Sequence, residues 1–152
     1  MDCRALAVKS YFLDGFQSKI ITTHGIYYSK MSAIELLDTA CIRSGFTKKG
    51  SKEAVRKLLN YLRKTPFLIS QDVGAFPTCS SDSLECVWIF NHRFDVKELG
   101  QGLSLVTFKN GMSITVKASK HTLENQQRKL HTTLDIYRNI EREKELYISS
   151  KP

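Results

Sequence analysis

Ser104-Leu105-Val106-Thr107-Phe108-Lys109-Asn110-Gly111-Met112-Ser113-Ile114-Thr115-Val116 alternates apolar and polar residues on both sides of a turn signal. That pattern is a β-hairpin. A two-residue Asn110-Gly111 turn pairs Phe108 with Ser113 and scrambles the two faces. A three-residue loop, a type I turn with Gly111 in the left-handed bulge position, pairs Phe108 with Met112, Val106 with Ile114 and Ser104 with Val116. Val106, Phe108, Met112, Ile114 and Val116 then share one buried face, so the three-residue loop is the expected one.

Working outward from this hairpin, the upstream half holds more strand and turn signals. Ala7-Val8, Lys19-Ile20-Ile21 and Gly25-Ile26-Tyr27-Tyr28 are β-prone runs separated by Asp14-Gly15 and His24-Gly25, which predicts two or three short strands between Ala5 and Tyr28. Phe67-Leu68-Ile69 and Cys86-Val87-Trp88-Ile89-Phe90 read as further strands, the region around Asp72 to Gly74 as turn-rich, and Gly100-Gln101-Gly102 as a turn. A lone Trp88 inside an apolar strand belongs in the core, with Phe76 and Pro77 in the core and its turn.

Three helices are expected. Ser32 followed by Glu35 has capping-box spacing, with Ile34, Leu37, Ala40 and Cys41 at helical intervals as far as Gly45. Cys41 on that face reads as a small buried hydrophobe. Ser51 caps a second helix that ends before Pro66, with Val55, Leu58, Leu59 and Leu62 on one side and Lys52, Arg56 and Arg63 on another, flanked by Lys57 and Lys64. From about Thr122 to Leu146, Leu123, Leu130, Leu134, Tyr137 and Ile140 form one stripe. That stripe suits packing on a sheet, and its seven-residue spacing also permits a dimer contact. The expected fold is α+β: one domain over residues 1–146 with a mainly antiparallel sheet, two short helices in the N-terminal half and a longer C-terminal amphipathic helix, then a short flexible tail over 147–152.

At 152 residues, 41% hydrophobic and 25% charged, the composition is that of an ordinary globular domain, not a disordered chain. No apolar run is long enough to span a bilayer and no export signal opens the chain, so a cytoplasmic protein with reduced thiols and no membrane partner is expected. The net charge of +8 is unevenly placed. Between Arg43 and Lys64 eight basic residues meet only Glu53, whereas Lys117 to Lys151 mixes eight basic with five acidic residues. A dense segment of one sign points to a polyanionic partner.

Enzymatic and metal chemistry find little support. No Cys or His pair has zinc-ligand spacing, the nearest being Cys79-x₆-Cys86, so neither a metal nor a cofactor is expected. Cys86 and His92 could be drawn as a nucleophile and its base, but no oxyanion-type glycine turn accompanies them. There is no phosphate-binding glycine loop, helix-turn-helix or basic-zipper pattern. The expectation is a binding protein and no enzyme.

Several blocks of the chain resemble the ComK-type competence transcription factor family of Gram-positive bacteria. They are Ser18-Lys19-Ile20-Ile21, Lys64-x-Pro66, Phe76-Pro77-Thr78-x-Ser80-Ser81, Cys86-x-Trp88-Ile89, Val106-Thr107-Phe108-x-Asn110-Gly111 and Glu124-Asn125-Gln126, in order and at similar intervals from about Ala5 to Tyr137. Each block is weak alone; their joint order is specific. Where the family commonly has Gly-Arg at the start of the basic helix this chain has Gly50-Ser51, and its C-terminus reads as shorter than in the longer members.

The resemblance implies binding to A/T-rich promoter DNA through the minor groove, as a dimer or pair of dimers. It also implies action with RNA polymerase on genes for DNA uptake, control by an adaptor and protease system, and a place in the bacterial cytoplasm on the nucleoid. With the charge map, it assigns Lys48, Lys49, Lys52, Arg56 and Lys57 toward the DNA, and Arg63, Arg128 and Lys129 as outer phosphate contacts. The alternative is a basic interaction or RNA-binding protein without promoter-specific activity.

Overall fold

In the computed structural model, which describes residues 4–43, 66–70 and 72–149, two antiparallel sheets and two helices enclose two separate cores. The first sheet runs in the order β3 (Gly25–Ser29), β2 (Ser18–Thr22), β1 (Ala5–Ser10), β6 (Val87–Phe90), β5 (Gly74–Pro77), β4 (Phe67–Leu68). The second is the meander β7 (Phe94–Gly100), β8 (Leu103–Phe108), β9 (Ser113–Val116). Helix α1 spans Ala33–Arg43 and helix α2 spans Lys120–Ser149. The α+β fold with a mainly antiparallel sheet and a long C-terminal helix is as the sequence predicts. The N-terminal half shows one helix among the described residues where two are expected; the second expected helix, with Gly45 and the dense basic segment after Arg43, lies outside them.

Central strands of the first sheet are buried on both faces, and alternate residues feed different cores. Leu68, Phe76, Val87 and Ile89 face α2 and the second sheet, while Phe67, Ile69, Ala75, Trp88 and Phe90 face α1. Strand β1 breaks the alternation where its register with β2 shifts between Ala5 and Ala7, so that Leu6 and Ala7 both join the α2 side. A bulge produces that change of face.

The hairpin has the expected three-residue loop. Ser104 pairs with Val116 and Val106 with Ile114, the Phe108 amide donates to the Met112 carbonyl at 2.8 Å, and Gly111 has φ of 91°. Val106, Phe108 and Val116 are buried, with Met112 and Ile114 packed against them. The β7–β8 turn is Gly100-Gln101-Gly102, all three at positive φ.

Capping fixes where both helices begin. The Glu35 amide donates to Ser32 Oγ at 3.2 Å, as the capping-box spacing predicts. For α2 the cap is Ser119, whose Oγ accepts from the Thr122 amide at 3.1 Å, while Glu98 Oε1 accepts from the Lys120 amide. The helix therefore starts two residues before Thr122 and continues three past Leu146. Leu123, Leu130 and Leu134 are fully buried against the sheets, with Tyr137 packed beside them. Those leucines are covered within the chain, so this part of the stripe packs on the sheet.

Strand β5 lies partly where the sequence reads as turn-rich. Gly74 and Ala75 have weak intrinsic strand preference, and tertiary packing overrides it. A Cβ on Gly74 would stand 2.7 Å from Leu130 Cδ1, so glycine is what lets α2 approach the sheet. Buried Gln126 completes the dock by donating from Nε2 to the Pro77 carbonyl at 3.3 Å.

Candidate nucleic-acid interface

Six of the eight expected contact residues, Lys48, Lys49, Lys52, Arg56, Lys57 and Arg63, lie outside the described residues. Arg128 and Lys129 are on α2, where burial of Leu123, Gln126, Leu130 and Leu134 fixes the helix's rotation. Adjacent residues diverge by about 100° around a helix. Arg128 accordingly is exposed on the flank it shares with Gln127 and His131, and half-buried Lys129 turns to the other flank. The two residues do not form one contact patch.

Arg128 instead faces two cations that sequence reasoning missed. Phe94 and Phe108 form the end pair of the β7–β8 ladder, and the next residues outward are Arg93 and Lys109. Both leave the ladder at the same end of the second sheet and both are exposed. Together with Arg128, Gln127 and His131 from α2, they line a groove of about 640 Å³ between the helix and the end of the second sheet. Among the described residues Asp95 is the one carboxylate along it. A second hollow of about 460 Å³, bordered by Thr23, Asn91 and His92, meets the first at Arg93 and Lys109.

The scaffold under these cations is rigid. Phe94 packs on Phe76 and, edge to face, on Phe108, with centroids 6.2 and 6.3 Å apart. None of Arg93, Lys109 and Arg128 makes an ion pair or hydrogen bond with another described residue. Cations elsewhere on the second sheet and α2 are neutralised: Lys117 by Glu85 at 3.1 Å, and Arg138 by Asp72 at 3.3 Å and Asp135 at 3.1 Å. A groove with three cations that are unpaired among the described residues, and one described carboxylate, can hold an anionic chain through phosphate-directed hydrogen bonds.

Nucleophilic chemistry is disfavoured at Cys41 and Cys86. Cys41 is buried and donates to the Leu68 carbonyl at 3.2 Å; burial, with a smaller contribution from the Asp38 carboxylate, pushes its thiol up to about 12. Burial likewise raises Cys86 to about 12, and its Sγ lies 3.6 Å from the Cys79 carbonyl oxygen. Cys86 and His92 flank opposite ends of β6. At about 3.3 Å per strand residue they stand roughly 20 Å apart, too far to act as nucleophile and base. Among the described residues no three His, Cys, Asp or Glu side chains are grouped to hold a metal ion, and no helix is long and apolar enough to cross a membrane.

Sequence comparison agrees with the resemblance. The family described as ComK protein matches residues 3–145. The competence transcription factor of Bacillus subtilis (strain 168) is 30% identical over 125 residues, which cover 80% of this chain and 65% of that protein. The chain thus spans just under two thirds of that relative's length. No solved structure matches it.

Proposed function

This chain belongs to the ComK family, and on that membership we propose that it is a competence transcription factor that binds A/T-rich promoter DNA and activates genes for DNA uptake. The observation that carries the proposal is the placement of charge. Eight cations against one acid between Arg43 and Lys64 form a one-sign segment, and the groove beside Arg128 adds cations that pair with no other described residue. Minor grooves of A·T tracts are narrow and strongly negative, so they attract inserted Arg and Lys. Lys48, Lys49, Lys52, Arg56 and Lys57 are the residues proposed to face the DNA, with Arg63, Arg128 and Lys129 as outer contacts. Action as a homo-oligomer, recruitment of RNA polymerase on the nucleoid and turnover by an adaptor and protease belong to the same reading.

The test is a fluorescence titration of the protein with labelled A/T-rich duplex, G/C-rich duplex and single strands of equal length, repeated across salt concentrations. A/T-rich duplex should bind most tightly. If about five of the named cations meet phosphates, log affinity falls against log salt with a slope of about −4 to −5. Equal affinity for all three, or preference for single-stranded RNA, would replace this reading with that of a general basic or RNA-binding protein.

A further inference from the structure

We propose that the groove between α2 and the Arg93–Lys109 end of the second sheet seats one phosphate backbone of the bound duplex, with Arg93, Lys109 and Arg128 as its contacts. This rests on the DNA-binding reading and assigns it a surface distinct from the dense basic segment. Arg93 and Lys109 each lie one residue beyond the Phe94–Phe108 pair and line the same two hollows. Like charges brought together at a strand end repel. Asp95, the second residue of β7, is the single carboxylate among the described residues of the groove against these two cations, and Arg128 brings a third from α2. The excess positive charge is complemented by an anion in the groove.

Shape and rigidity favour a linear polyanion. Both hollows share Arg93 and Lys109, so the track runs from Thr23, Asn91 and His92 past the two cations to Arg128 and His131. An isolated phosphate would need only one end of it. The cations come from the ends of two paired strands and from a helix held by Leu123, Gln126 and Leu130, so their backbones are ordered before binding. Little ordering cost then falls on the complex. Contacts of this kind position a protein on DNA and carry no sequence information themselves.

The experiment compares the parent with R93A/K109A on labelled A/T-rich and G/C-rich duplexes, with poly-glutamate as competitor. Both residues are exposed and outside the cores, so the circular dichroism spectrum and melting temperature should match the parent's. Affinity should fall on the order of tenfold per cation removed, equally for both duplexes, and the salt slope should flatten by roughly two. Arg93→Lys with Lys109 kept should retain most of the slope, and K117A/K120A, which removes the same charge from cations paired to Glu85 and Glu124, should leave it unchanged. Parent-like affinity and slope in R93A/K109A would overturn the groove while leaving DNA binding in place. Loss of the A/T preference instead of uniform weakening would overturn its role as a backbone contact, as would poly-glutamate displacing the parent as effectively as unlabelled duplex. A parent that binds no duplex would overturn the functional reading and the groove together.

Discussion

Trp88 meets Phe67 edge to face, their ring centroids 6.0 Å apart and their planes at 77°, inside the core between the first sheet and α1. Val8 is its cross-strand partner on β1 and Leu37 shares the same cluster. Truncating a buried aromatic to Ala costs about 3 to 5 kcal/mol, which includes the cavity left behind. The Phe67 pair adds about 0.5 to 1.5 kcal/mol beyond area burial. Trp88→Ala should therefore lower the urea midpoint sharply and Trp88→Phe less so. Because Trp88 is buried inside this core and presents almost no surface of its own, the fraction that remains folded should bind DNA as the parent does. Unchanged stability with lost DNA affinity would place Trp88 at the interface.

Packing also makes Gly74 a sensitive position, for a different reason from the turn glycines. Its Cβ in an alanine variant would meet Leu130 Cδ1 at 2.7 Å and the Phe67 carbonyl oxygen at 3.3 Å. Leu130 is fully buried and has little room to retreat. Gly74→Ala should destabilise by about 1 to 3 kcal/mol through overpacking, and G74A/L130V should cost less than the two changes summed. Gly111→Ala meets no neighbour and suffers only from its φ of 91°, about 1 to 2 kcal/mol. Leu130→Val should not rescue it. Chemical denaturation of G74A, L130V, G111A and the two double variants separates steric from conformational cost.

What could be read in advance follows a physical divide between local and long-range information. The hairpin at Asn110-Gly111 and the Ser32 cap depend on residues a few positions apart, whose turn chemistry and periodicity are written side by side. Strand β5 was hidden because Gly74 and Ala75 are selected by the approach of Leu130, a contact across 56 residues of chain. The groove was hidden for the same reason. Arg93 and Lys109 look unrelated in sequence until the β7–β8 register brings them to the same end of the sheet, and β7 ends in an irregular stretch between Glu98 and Gly100 that blurs its alternation. Arg128 was visible as a cation, but its separation from Lys129 depends on how α2 docks.

The buried thiols give a prediction in pH. Cys41 and Cys86 are both pushed up to about 12, each chiefly by burial. At pH 8 a thiol of that acidity is about one part in ten thousand thiolate, the reactive form. Iodoacetamide should leave both unmodified in the folded protein and label them after unfolding in urea, as peptide mass spectrometry would show. A folded pKa raised above the unfolded value means that the folded state holds its proton more tightly. The associated stability is thus present below the ordinary thiol pKa near 9 and is lost as pH rises from there toward 12. Cys41→Ser and Cys86→Ala variants should lose less stability over that window than the parent.

The prediction that decides between the two cationic surfaces concerns Lys52 and Arg56, which lie outside the described residues. The sequence pattern expects a helix that would set them one turn apart and away from Val55, Leu58 and Leu62, and Ala is the best helix former, so K52A/R56A should fold like the parent. Losing two phosphate contacts weakens binding to every duplex and flattens the salt slope by roughly two, whereas losing a side chain inserted in the minor groove also shrinks the preference for A/T-rich DNA. The second outcome is expected if this segment reads the DNA while the Arg93–Lys109 groove holds its backbone. K9A/K30A, outside both surfaces, is the control and should do little. Combining K52A/R56A with R93A/K109A should add their losses if the two surfaces act independently. If K52A/R56A binds A/T-rich DNA as tightly as the parent with the same slope, the dense segment is not the reading element, and the groove beside Arg128 carries the contact alone.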